Sequence, residues 1–292
     1  MTVFISKIDL HSHSTASDGA LSPTELVERA LSRDLKILAL SDHDTTGGID
    51  EALLAARGTT VTLVPGCEIS TTWLNRQIHI VGLFLNYKTP AFVSFLEQQR
   101  QKRLERAQAI GRKLERQGFH DAYERCKARA RDGANITRGN YARFIFEEGK
   151  AQSIDDAFNS YLKKGRSCYV STHWVDIKEA VDAIHAADGV AVLAHPRRYD
   201  LTNTKLRELT AYFKACGGEA MEVASCQQRP CDRVFLADLA AEKGLMASQG
   251  SDFHQASPWR DLGHYLILPE GVKPVWECDR ALEYLGTDSA SK

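Results

Sequence analysis

The sequence lacks the features of a membrane, secreted or disulfide-stabilised protein. It has no run of roughly 18 apolar residues, which a membrane-spanning helix requires. Lys7 and Asp9 interrupt the N-terminal stretch, where a secretory signal would be apolar. The seven cysteines form no CxxC pair, and their odd number in a chain of 292 residues favours reduced thiols. These absences predict a cytoplasmic protein without structural disulfides.

A net excess of one charge sign is also absent, because 37 Lys and Arg residues oppose 38 Asp and Glu residues for a net charge of −1. This balance excludes binding of nucleic acid by bulk positive charge alone. The charge is uneven, however. Residues 97–138 contain twelve basic and six acidic side chains, an excess of +6 that leaves −7 for the rest of the chain. A hydrophobic content of 43% excludes disorder.

Short apolar segments alternate with helical patterns along most of the chain. Residues 22–25 (SPTE) have the pattern of a capping box with proline at the first helical position, and they predict a helix to about residue 32. We predict further helices near 176–187, 203–216 and 231–243, and strands at 7–10, 36–40, 62–65, 78–84, 190–194, 220–224 and 245–248. Such βα units predict a mostly parallel sheet, closed or nearly closed as a barrel, with its site at the carboxyl ends of the strands.

The segment from 89 to 165 breaks this alternation. It contains long, charge-rich helical patterns and little that resembles a buried strand. The sequence therefore predicts a barrel domain over 1–88 and 166–292 and a helical insert domain over 89–165.

Six of the ten histidines and three carboxylates fall at or near the ends of predicted strands: His11, His13, His43, His79, His195 and His254, with Asp18, Glu68 and Asp252. Residues two apart in a strand face the same side, so His11 and His13 can enter one site, as can Asp252 and His254. Imidazole together with carboxylate suits Zn, Mn or Fe. A ligand set of this size is typical of metal-assisted hydrolysis of phosphate esters.

The strings DLHSHS, SDHD, GCEIS, IHIVG, AHP and GSDFH, in this order, resemble those of the PHP (polymerase and histidinol phosphatase) family. The resemblance covers residues 9 to 254 and implies an α/β fold, a distorted (β/α)7 barrel of the amidohydrolase type with a helical insertion. It is closest to the branch that contains 5′-3′ exoribonucleases and 3′,5′-nucleotide bisphosphate phosphatases. The strings AMEVASCQQ and ASQGSDFHQ are particularly similar to the exoribonucleases.

This resemblance implies a centre of three metal ions, usually Mn²⁺, with Zn or Fe as alternatives. One ion would be held by His11, His13, Glu68 and Asp252, a second by Glu68, His79 and His195, and a third by Asp18, His43 and His254. The implied catalytic residues are Glu68, His195 and Asp252. Asp252 is the candidate base, and the acid that protonates the leaving group stays unassigned.

Substrate contacts are expected from the insert and from loops near the site: Arg100, Arg103, Asn135, Thr137, Arg138, Arg198 and His264. Arg100, Arg103 and Arg106 recur every three residues, roughly along one helix face, although a solvated surface explains any single one equally well. Thr137 is the expected N-cap of a helix, a place suited to a phosphate. For His264 a structural role is an equal alternative.

Three functions remain open from the sequence. The first is a metal-dependent phosphoric ester hydrolase acting as a 5′-3′ exoribonuclease on 5′-monophosphorylated RNA and short oligonucleotides, in maturation of RNA 5′ ends. The second is a phosphatase that releases phosphate from 3′,5′-bisphosphonucleosides such as pAp. The third, a non-catalytic PHP-type binding module, predicts missing ligands. The expected partners are these RNA ends or nucleotides, with no membrane and no obligate protein partner.

Overall fold

The computed structural model describes residues 6–289. Seven strands form one sheet and lie side by side in chain order. They are β1 (Ile8–Asp9), β2 (Ile37–Leu40), β3 (Thr62–Trp73), β4 (Arg76–Leu83), β5 (Val190–Leu193), β6 (Ala220–Ser225) and β7 (Met246–Gly250). All seven predicted strands are present, and the third is longer than predicted.

The sheet nearly closes into a barrel. The Leu10 amide, just after β1, donates to the carbonyl of Gln249 in β7 at 3.1 Å. Neighbouring strands are parallel except at β4, which is antiparallel to both β3 and β5. Leu74 and Asn75, both with positive φ, make the turn between β3 and β4, and a turn this short cannot contain the crossover that parallel strands need. The distorted α/β barrel is confirmed, with this reversed strand as its distortion.

Helices cover the outside of the barrel and form the insert. They are α1 (Pro23–Ser32), α2 (Ile49–Ala56), α3 (Pro90–Glu115), α4 (Ala122–Arg129), α5 (Arg138–Glu147), α6 (Ile154–Ala157), α7 (Ile177–Ala186), α8 (Asn203–Ala215), α9 (Pro230–Glu242) and α10 (Asp279–Ser289). A π-helical turn, Phe158–Leu162, follows α6. The predicted capping box is present at the start of α1, and the helices predicted after residue 175 are confirmed. None of the helices described is long and apolar enough to cross a membrane.

The helices α3 to α6 and the π-helical turn enclose a hydrophobic cluster of their own, built around residues such as Tyr141, Phe144 and Leu162. The start of α3 belongs to a different cluster, because Phe92 and Leu96 pack with the barrel core. This observation agrees with a helical insertion, and the domain boundaries at residues 89 and 165 stay a prediction.

The long helix α3 is the main connection between barrel and insert. At 1.5 Å per residue its 26 residues extend about 39 Å. Between its two apolar ends, three polar side chains, Gln99, Arg103 and Arg106, are buried. These polar residues lie where α3 passes the carboxyl edge of the barrel, and Arg103 and Arg106 line the cavity described next.

Candidate functional site

The nine predicted metal ligands come together at the carboxyl edge of the barrel. Six of them lie in the segments after β1, β2, β5 and β7: His11, His13, His43, His195, Asp252 and His254. Glu68 lies in β3, His79 in β4 and Asp18 in the loop before α1. His79 is near the beginning of its strand. Because β4 runs antiparallel, its beginning lies at the same edge as the ends of the other strands.

Four ligand atoms from His11, His13, Glu68 and Asp252 lie within 4.8 Å of one another. His13 Nε2 is 3.1 Å from His11 Nε2 and 3.1 Å from Asp252 Oδ1. His11 Nε2 is 3.5 Å from Glu68 Oε1. Ligands about 2.1 Å from a shared cation lie roughly 3.0–3.4 Å apart. The spacing of this group therefore suits one metal ion.

Glu68 also joins a second group. Its Oε1 atom lies 2.7 Å from His79 Nδ1 and 2.9 Å from His195 Nε2. Its Oε2 atom lies 2.8 Å from His43 Nδ1, but the angle is not that of a hydrogen bond. Glu68 is completely buried, so it contacts ligands from three different strand ends. This position suits a carboxylate that bridges two ions.

A third group combines His13, Asp18, His43 and His254. Asp18 Oδ1 lies 3.3 Å from His254 Nε2, and Asp18 Oδ2 lies 3.9 Å from His43 Nε2. The rings of His13 and His254 stack with 4.2 Å between their centroids. The family resemblance implied His13 as a ligand of the first ion only. In the structure, His13 belongs to both the first group and the third.

The unpaired atoms of the cluster support its use as a metal site. Within the described chain, His13 Nδ1, His195 Nδ1 and Glu68 Oε2 are buried without a hydrogen-bond partner. Buried polar atoms without partners are rare in proteins. The facing nitrogens of His11 and His13 are likewise better satisfied by a cation than by each other. The donor set of imidazoles and carboxylates therefore fits divalent metal ions.

The electrostatics of the cluster keep two of its ligands, Glu68 and His13, in the forms that bind metal. Burial raises the pKa of Glu68, but His79 and His43 outweigh burial and hold it well below its usual range. Burial, reinforced by His254 and His43, lowers the pKa of His13 well below its usual value. The carboxylate is therefore charged and the His13 imidazole neutral, as metal ligation requires.

Glu222, a buried carboxylate in β6 that was not predicted from the sequence, lies behind the cluster. Glu222 Oε1 is 2.6 Å from His11 Nδ1, and Glu222 Oε2 accepts from the His195 amide at 2.5 Å. Burial lowers the pKa of His11, but Glu222 and Glu68 outweigh burial and raise it to about 10. The available signal was a single acidic residue inside the apolar strand sequence AMEVAS.

Asp44, immediately after His43, is a second missed residue. Its carboxylate accepts from Arg103 Nε at 2.6 Å and from the Ser70 amide at 2.8 Å. Asn135 Nδ2 donates to the carbonyls of both His43 and Asp44 at 3.0 Å. The insert is thus attached directly to the segment that carries a predicted ligand. Asn135 therefore binds the backbone of His43 and Asp44, and it does not line the cavity described next.

A cavity of about 650 Å³ opens in front of the ligand cluster, between the barrel and the insert. Four of the predicted substrate residues line it: Arg103, Thr137, Arg138 and Arg198. Thr137 caps α5, and its hydroxyl donates to Asp18. Arg198 forms an ion pair with Asp252. His264 is buried next to Tyr265 and lies outside the lining.

Arg100 also lies outside the cavity, because it is exposed and pairs with Glu97 on the surface of α3. A spacing of three residues falls 60° short of a full helical turn at each step. Arg100 and Arg106 therefore face directions about 120° apart, and the shared face of α3 is Gln99, Arg103 and Arg106. Its position gives no support to the predicted substrate contact of Arg100.

Arg106 and Arg138 are cations without an anion. Both line the cavity, and neither forms an ion pair within residues 6–289. Arg106 is 7% exposed, its Nε atom has no partner, and its guanidinium lies over the Trp174 ring. Arg138 lies over the Phe158 ring. Burial lowers the pKa of each arginine. Unpaired buried charge is costly, so these side chains create a strong site for an anion.

Comparisons with known proteins identify relatives of the chain. The model of the PHP domain family matches residues 9–164. The chain is 49% identical over 271 residues to the 5′-3′ exoribonuclease Rnm of Escherichia coli, covering 92% of each chain. It is 40% identical over 273 residues to the 3′,5′-nucleoside bisphosphate phosphatase of Chromobacterium violaceum, covering 93% of this chain and 96% of the other. An amidohydrolase structure from C. violaceum, with sulfate bound and no metal, superposes with a TM-score of 0.89 at 39% identity over 96% of each chain.

Proposed function

The chain belongs to the PHP domain family, and from this premise we propose that it is a metal-dependent phosphoesterase acting as a 5′-3′ exoribonuclease on 5′-monophosphorylated RNA. One observation carries the proposal. A single cavity joins a cluster of metal ligands to two arginines that lack an anion, the buried Arg106 and the half-buried Arg138. This cavity suits a substrate with two phosphates, one to be hydrolysed and one to be held. The 5′ nucleotide of phosphorylated RNA is such a group.

The ligand cluster would hold the metals. We assign His11, His13, Glu68 and Asp252 to one ion, Glu68, His79 and His195 to a second, and Asp18, His43 and His254 to a third, with Mn²⁺ as the proposed ion. When bound, the ions would activate water and neutralise the phosphoryl oxygens. Glu68 lies at the middle of this set of ligands, and His195 Nε2 faces Glu68 Oε1.

The remaining steps belong to side chains of the chain itself. Asp252 is the proposed proton acceptor, and its ion pair with Arg198 fixes the orientation of the carboxylate. Arg106 and Arg138 would bind the phosphate that is not hydrolysed, and Arg103 supports that wall through its ion pair with Asp44. A cytoplasmic location is part of this proposal, and the proposed RNA substrate is consistent with it.

The second candidate function is hydrolysis of pAp, which the similarity to the bisphosphate phosphatase of C. violaceum supports. A 3′,5′-bisphosphonucleoside resembles the first nucleotide of phosphorylated RNA, so both reactions can use one site. Comparison of purified protein on pAp and on a 5′-phosphorylated oligoribonucleotide separates them. Products that shorten by one nucleotide at a time from the 5′ end support the exoribonuclease. Absence of oligomer cleavage overturns it, and absence of both activities together with absence of bound metal favours a binding module.

The base assignment has its own test. Asp252→Asn should reduce kcat strongly, because the substitution removes both a ligand charge and the proton acceptor. Arg106→Ala should instead raise KM for both substrates. Full turnover and full metal content in Asp252→Asn, measured together, would show that Asp252 is not the base.

A further inference from the structure

The mouth of the cavity carries a second set of cations, Arg76, Lys163 and Lys164, which we call the rim cations. All three line the cavity and all three are exposed, unlike the buried Arg106 and the half-buried Arg138. In the part of the chain that is described, none of the three forms an ion pair. They come from two separate elements, because Arg76 begins β4 of the barrel and the lysines follow the π-helical turn of the insert.

Both elements hold these cations in defined positions. Arg76 directly follows the two-residue turn of Leu74 and Asn75, which joins the long paired strands β3 and β4. The Lys163 carbonyl accepts from the Arg166 amide at 3.0 Å. Gly165, between them, has φ of +88°, the conformation that a type II turn requires at its third residue. The rim cations are therefore held beside ordered turns, one of the barrel and one of the insert.

The size of the cavity limits what these cations can bind. A volume of about 650 Å³ is in the usual range for one small ligand, so it holds about one nucleotide. The phosphates of that nucleotide are already accounted for by the ligand cluster and by Arg106 and Arg138. The rest of an oligonucleotide must leave through the mouth, where exposed cations meet a flexible backbone.

We propose that Arg76, Lys163 and Lys164 bind backbone phosphates of single-stranded RNA beyond its first nucleotide, and so favour oligonucleotides over bisphosphonucleosides. This inference rests on the proposed function of the same cavity. It predicts that the rim cations matter more for a long substrate than for pAp. It also predicts that their contribution weakens with salt, because each contact releases counterions.

The test uses the full chain with the triple variant R76A/K163A/K164A. Its matched control is R112A/R116A/K127A, which removes the same charge from exposed positions of the insert outside the cavity lining. We would measure kcat/KM for pAp and for a 5′-phosphorylated ten-nucleotide RNA at several KCl concentrations. Circular dichroism and thermal unfolding would establish that both variants are folded.

We expect the rim variant to lose roughly tenfold or more on the RNA relative to its change on pAp. Its plot of log kcat/KM against log salt should become shallower by about 2, at about 0.7 for each of three lost contacts. An equal loss on pAp and RNA would place the rim cations on the first nucleotide and overturn the inference. So would an unchanged salt slope, or the same slope change in the control variant. If wild-type protein cleaves pAp but no RNA, the exoribonuclease proposal itself fails.

Discussion

Glu222 offers the sharpest test of how the barrel prepares its metal centre. Its two oxygens contact two predicted ligands, the His11 ring at 2.6 Å and the His195 amide at 2.5 Å. A carboxylate at His11 Nδ1 keeps the proton there and leaves Nε2 free to bind metal. Glu222→Gln preserves the size of the side chain but provides one acceptor oxygen instead of two. One of the two donors then faces an amide NH₂ group.

The expected loss in metal affinity follows from these contacts. Hydrogen bonds to a charged group contribute about 1.5–3 kcal/mol, and partners of metal-binding histidines typically change metal affinity by about 10–100-fold. The second range equals roughly 1.4–2.7 kcal/mol. We therefore expect Glu222→Gln to bind metal about 10–100-fold more weakly, as measured by competition with a coloured chelator and by elemental analysis after dialysis.

The chain contains a matched control for this variant. Glu219 makes the same kind of contacts away from the site, with His185 Nε2 at 3.0 Å and the Ala191 amide at 2.9 Å. Glu219→Gln should leave metal affinity unchanged, since neither partner is near the cluster. If Glu222→Gln binds metal as tightly as the wild type and Glu219→Gln do, then Glu222 does not position the ligands.

Three further predictions concern the metal centre and the insert. Chelation with EDTA should abolish hydrolysis and lower the Tm, and Mn²⁺ should restore both; a Tm that ignores EDTA would argue against bound metal. Gly139→Ala should displace Asp18 and lower the metal content, because the added Cβ would lie 2.5 Å from Asp18 Oδ2. Gly47→Ala is the control, since its Cβ would meet only Thr45 Oγ1 at 3.3 Å. Equal metal content in the two variants would contradict the prediction. Ile145→Ala, fully buried in the insert, should cost about 2–5 kcal/mol in urea unfolding, and a cost below about 1 kcal/mol would mean that the insert adds little to stability.

The ligand cluster was accessible from the sequence because of how a barrel is built. Eight of the nine predicted ligands occur in a short polar string directly after an apolar strand or within one, and the strand ends of a barrel converge at one edge. Asp18, in the loop before α1, is the exception. Glu222 also lies inside a strand, β6, but it acts through His11 and His195, so no ligand spacing marks it.

The reversed strand and the arginine face were missed for geometric reasons. The predicted third strand stopped at residue 65 and the fourth began at 78, so the gap between them seemed long enough for a crossover. β3 in fact continues to Trp73, and only two residues remain for the turn before Arg76. On α3, the three-residue spacing of Arg100, Arg103 and Arg106 suggests one shared face, but it does not produce one. At 3.6 residues per turn, the buried face instead runs through Gln99, Arg103 and Arg106.

The net charge of the chain is near zero, but basic and acidic side chains are separated along the sequence, and the fold brings them together in one cavity. Nine basic and five acidic side chains line it, and most of the carboxylates belong to the proposed metal ligands or pair with Arg198. Among the lining arginines and lysines of the insert and of the β3–β4 hairpin, only Arg103 has a carboxylate partner, Asp44, within residues 6–289. With the carboxylates occupied by metal, the cavity presents almost only positive charge to a substrate. Phosphate recognition and metal binding therefore depend on each other, so removal of metal should weaken binding of substrate as well as its hydrolysis.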